Sequence, residues 1–126
     1  MKSVITLAFI AVLSLTSCSE KIVGTWNVQK YETVKPGSQN ISLNNIGTIT
    51  FNKNNTGEKS LYYNVLGVET KDDVPFVWTL NEPYITIESK NSSLSKTWIM
   101  IENNRKSQKW KSTDGSNEIQ TLELTK

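Results

Sequence analysis

The chain has 126 residues, with fourteen Lys and Arg against twelve Asp and Glu, one Cys and no His. A net charge of +2 with the signs interspersed gives no basic field that would recruit nucleic acid. Without His there is no Ser-His triad and neither the usual general base nor the usual transition-metal ligand, and one Cys allows no internal disulfide and no metal-spaced cluster.

The first element is a basic start at Lys2 followed by residues 4–15, which are uncharged and mostly apolar. That run is too short to cross a bilayer as a helix and fits a secretory signal. It ends in Leu15-Thr16-Ser17-Cys18, which resembles the lipobox of bacterial lipoproteins. The resemblance implies a signal-peptide helix over 1–17, cleavage before Cys18, acyl chains such as palmitate on that residue, and a short tether at 18–21. A lone Cys is otherwise most often a buried apolar side chain. Its place at the border of the signal favours lipidation instead. Each buried methylene contributes about 0.8 kcal/mol, so one acyl chain holds only marginally and two or three hold stably. The next residue is Ser19 rather than Asp, which favours the outer membrane of a bacterial envelope over the inner one and leaves the leaflet open.

Residues 22–126 then form one domain of ordinary size, and the chain from Cys18 onward carries thirteen basic residues against twelve acidic ones. Val, Ile, Thr, Trp and Tyr recur in short alternating runs, and no segment has a helical period. The runs predict eight strands, over 22–33, 46–53, 58–66, 74–80, 84–90, 95–102, 106–112 and 117–125. Turn-forming residues at 54–57, 81–83, 103–105 and 113–116 make neighbouring strands antiparallel partners. Residues 34–45 and 67–73 are expected as the two longer loops. The charges Glu69, Asp72 and Asp73 in the second read as solvated, and their spacing does not match a calcium loop. Pro75 is tolerated near a strand start. The predicted fold class is all-β, an eight-stranded antiparallel meander closed into a small barrel, because closure removes unprotected edges.

Gly24-Thr25-Trp26 opens the first predicted strand as the Gly-x-Trp element opens lipocalins and fatty-acid-binding proteins. With the meander that follows, the chain resembles bacterial lipocalin-like lipoproteins. The resemblance implies a barrel whose narrow end is plugged by Trp26 and whose interior takes a small apolar or amphipathic ligand. The chain departs from the pattern at its only Arg, Arg105, which falls in a turn, whereas lipocalins pack a late-strand Arg on the first Trp. The last strand carries Leu122-Glu123-Leu124 in place of a carboxylate-binding Arg-x-Tyr.

Side-chain parity puts Phe76, Trp78 and Leu80 on one face and Leu61, Tyr63 and Val65 on one face, so the expected barrel lining is Trp26, Leu61, Tyr63, Phe76 and Trp78. The strand containing Trp98, Ile99, Met100 and Ile101 is apolar on both faces, and Trp98 with Met100 is expected as an outer face for a partner protein or glycan. A barrel of eight strands is either filled by side chains or holds one small ligand, and four Trp favour filling as much as binding. No catalytic residue, metal site or cofactor is predicted. The expected activity is non-enzymatic ligand binding at a membrane through Cys18, with an envelope scaffold on a filled barrel as the alternative.

Overall fold

The computed structural model describes residues 20–113 and 117–126, and the regular structure among them is entirely β. The expected signal-peptide helix and Cys18 lie outside the described residues. Nine strands follow in chain order: β1 (Gly24–Val34), β2 (Ile41–Phe51), β3 (Thr56–Val65), β4 (Val68–Asp72), β5 (Phe76–Asn81), β6 (Tyr84–Glu88), β7 (Lys96–Asn103), β8 (Ser107–Ser112) and β9 (Ile119–Thr125). All pairings are antiparallel. Eight strands close a ring in the order β1-β2-β3-β5-β6-β7-β8-β9, with β9 pairing back onto β1.

The ninth strand, β4, pairs only with β3 and occupies most of the segment expected as a loop at 67–73. Its hairpin turns on Leu66 and Gly67, with φ of 51° and 87°. Two positive values in a two-residue connection match the twist of the flanking strands, but Leu at such a position hides the turn from sequence reading. The β3–β4 and β3–β5 registers are continuous, Leu61 facing Asp72 and Gly57 facing Phe76. β4 and β5 are therefore one strand interrupted at residues 73–75, where Pro75 cannot donate to a ladder. The other expected long loop is also shorter, since β2 starts at Ile41.

Two glycines are needed for closure. A Cβ on Gly47 would lie 1.9 Å from the Ser60 carbonyl oxygen, so only Gly lets β2 approach β3 there. One on Gly57 would lie 2.0 Å from the Phe76 ring, which covers that glycine. A bulge at Gln29 shifts the register of β1 against both neighbours and resets its parity. Trp26 and Val28 point inward before it and Tyr31 after it.

The interior is a packed aromatic core. Trp26, Trp78, Trp98, Trp110, Phe51 and Phe76 are buried, and Phe51 meets Phe76, Trp78 and Trp110 edge-on at centroid distances of 5.2, 5.7 and 5.9 Å. Each indole N–H is used. Trp26 donates to the Ile22 carbonyl at 2.7 Å, Trp78 to Thr56 at 2.9 Å, Trp98 to Leu94 at 3.0 Å and Trp110 to Gln108 Oε1 at 3.0 Å.

The expectation for Trp98 and Met100 is corrected here. Both point into the barrel, at 0% and 8% exposure, and the outward residues are Ile99 and Ile101. A strand apolar on both faces carries no alternation by which to choose its inner side, and burial of the largest ring settles it.

Candidate functional site

The barrel has a closed and an open end. The closed end gathers Ile22, the start of β1 and the end of β9, with Trp26 as its plug. The open end gathers the 35–40 turn, the β3–β4 hairpin tip, the 89–95 link and the start of β9. Above the aromatic core it leaves a cup of about 290 Å³ lined by Tyr31, Leu43, Tyr63, Ser93, Glu118 and Gln120, among others.

The floor of the cup is a hydrogen-bonded network. Gln120 Nε2 donates to the Tyr31 hydroxyl at 3.0 Å and to Glu118 Oε1 at 3.3 Å, and Lys96 Nζ donates to Gln120 Oε1. Tyr63 stands edge-on to Tyr31 at 6.1 Å and shares a 3.4 Å contact with Ser93. Burial pushes the Tyr31 phenol up to about 12, while a hydrogen bond with Ser93 acts the other way. Tyr31 is therefore a neutral hydroxyl at ordinary pH, able to exchange hydrogen bonds with a ligand headgroup. Among the described residues no buried side-chain nitrogen or oxygen lacks a partner.

Deeper in the wall, Lys59 Nζ pairs with Asp72 Oδ1 at 3.0 Å and donates to Ser89 Oγ at 2.7 Å, while Ser92 Oγ donates to Asp72 Oδ2 at 2.7 Å. This cluster joins β3 and β4 to the 89–95 link beside the strand interruption. Asp72, expected as a solvated loop charge, is buried because β4 turns it inward beside Leu61.

Of the five expected lining residues, Trp26, Leu61, Phe76 and Trp78 point inward but are packed within the core, and Tyr63 borders the cup. Tyr31, Ser93 and Gln120 were not singled out from sequence. The bulge at Gln29 explains Tyr31: strict alternation from Trp26 would have put Lys30 and Glu32 inside.

A closed antiparallel barrel of eight strands, plugged at one end by a Gly-x-Trp strand and cupped at the other, defines a small calyx-type protein. A family model for the lipocalin-like domain matches residues 22–126, and the chain belongs to that family. Among solved structures it is similar to an uncharacterized protein from Bacteroides eggerthii, at 14% identity and a TM-score of 0.54, covering 83% of this chain and 99% of the other. That likeness concerns the fold. No curated protein sequence matches the chain.

Proposed function

We propose that the protein is a lipid-anchored, non-enzymatic barrel of the bacterial envelope that takes one small apolar or amphipathic molecule in the cup at its open end. The observation that carries this reading is the contrast between a filled interior and the cup above it. With six aromatic rings packed below, a ligand enters only as far as Tyr31, Tyr63 and Gln120. The cup is at the small end of the range for ligand pockets, so it suits a compact group, with any longer apolar part resting on Leu43 and Val65 at the rim.

A lipidated Cys18 would also set the orientation. Four residues from Cys18 to Ile22 reach at most about 14 Å, and Ile22 lies at the closed end. The membrane then holds the closed end, and the cup opens away from it. Ser19 after the Cys supports the outer membrane as the location.

Two measurements test the reading. Labelled palmitate should enter the wild-type protein and not Cys18→Ser. Native mass spectrometry of protein extracted from envelopes should show a discrete added mass that disappears in Leu43→Arg, which fills the cup. A bare mass with a co-purifying protein would support the second reading, a scaffold on a filled barrel. The packed interior favours that alternative, and its outer face would be Tyr84, Ile99 and Ile101, adjacent on β6 and β7 and partly or largely exposed.

A further inference from the structure

A broad concavity among the described residues lies on the outer wall of the barrel. It is a groove of about 750 Å³ where the β4–β5 interruption passes the end of β6. Its centre is Val77, 47% exposed, with Val74 and Pro75 beside it. Register fixes the surroundings. Val77 faces Thr56 on one side and Glu88 on the other, and Glu58 lies two residues along β3 from Thr56 on the same outward face. The 52–56 turn and the 89–95 link contribute Asn52, Ser89 and Ser95 to the lining.

Glu58 and Glu88 are exposed and have neither a hydrogen bond nor an ion pair through their side chains among the described residues. Lys90 also lines the groove, and two carboxylates against one ammonium leave it negative. An apolar floor with a net negative rim matches a molecule that carries an apolar body and one positive charge.

We infer that this outer groove is a second binding site, separate from the cup, for a small cationic amphiphile whose ammonium lies between Glu58 and Glu88 and whose apolar part covers Val74, Pro75 and Val77. Each exposed ion pair contributes little, but two together with a shared apolar contact give about a tenfold preference for the cation.

The test uses methyl-labelled full-length protein titrated with octyltrimethylammonium, octanoate and a short Leu-Lys-Leu peptide blocked at both termini. The expected result is that octyltrimethylammonium shifts the Val74 and Val77 methyl signals at about tenfold lower concentration than octanoate. Glu58→Gln/Glu88→Gln should abolish that preference, and Tyr63→Ala, in the cup, should leave it unchanged. The inference is overturned if octanoate binds equally well, if the double variant keeps the preference, if Leu43 and Val65 respond in place of Val74 and Val77, or if the peptide binds more tightly than octyltrimethylammonium. Failure at Val77 leaves the cup reading intact, because that reading is tested by the added mass and Leu43→Arg.

Discussion

Lys126 Nζ lies 4.8 Å from the centroid of the Trp26 ring and donates to the Val23 carbonyl at 3.2 Å. The last residue of the chain thereby covers the plug of the closed end, the place where lipocalins set an arginine. The substitution of Lys for Arg is chemically sensible, since either cation is attracted to the face of an indole. The chain's only Arg, Arg105, lies in the β7–β8 turn.

Lys126→Ala should therefore lower stability by about 1 kcal/mol through loss of the ring contact and the hydrogen bond, while Lys126→Arg should retain most of it. Urea unfolding of the three proteins measures the difference. Equal midpoints for wild type and Lys126→Ala would show that the clamp contributes nothing.

The Lys59–Asp72 pair should behave differently because it is buried. Asp72→Ala leaves an ammonium without its counter-charge and removes the acceptor of Ser92, so a loss of about 3–5 kcal/mol is expected. Lys59→Met/Asp72→Leu should recover much of it, since apolar residues of similar size avoid the desolvation of two charges. Chemical denaturation of the single and double variants decides. A double variant no more stable than Asp72→Ala would mean that the pair itself holds the wall between β4 and the 89–95 link.

Much of the barrel was legible because its strands alternate. Phe76 and Trp78 point inward as their spacing demands, and the short turns give the antiparallel order. The place of Trp26, buried at the end of the barrel where β1 starts, was implied by the Gly-x-Trp resemblance and not by alternation. What escaped has specific causes. Leu66 takes a backbone conformation usually left to Gly or Asn, which concealed β4 and with it the inward turn of Asp72. Gln29 is an extra residue in β1, and no single-sequence pattern marks such a bulge, so Tyr31 was not recognised as part of the cup. Gln120 and Ser93 join the cup through contacts distant in sequence, which spacing along the chain does not encode.

Gly47 and Gly37 should respond unequally to the same change. Both have positive φ, +140° and +79°, but nothing lies within 4 Å of a Cβ on Gly37, whereas one on Gly47 would strike backbone at 1.9 Å. Gly37→Ala should cost about 1 kcal/mol of conformational strain. Gly47→Ala must also push β2 from β3 and should cost roughly 3 kcal/mol or more. Thermal melts compare the two directly, and similar losses would show that β2 and β3 separate without penalty.

Tyr31 gives a prediction about alkaline stability. Burial raises its phenol from about 10 in the unfolded chain to about 12 in the barrel. Between those values the unfolded chain has released a proton that the folded chain still holds, so stability falls as pH rises from about 10 to about 12, and below 10 this loss is absent. At pH 11.5 the loss from this group should be roughly 2 kcal/mol relative to pH 9. Other tyrosines and lysines titrate in the same window, so the comparison is with Tyr31→Phe, which keeps the ring against Tyr63 and removes only the hydroxyl. The variant should be somewhat less stable at pH 9, where Gln120 Nε2 loses its acceptor, yet lose about 2 kcal/mol less than wild type between pH 9 and pH 11.5. Urea unfolding at the two pH values measures both quantities. Parallel losses in the two proteins would show that Tyr31 ionises as it does in water, and that the cup floor is wetter than its packing indicates.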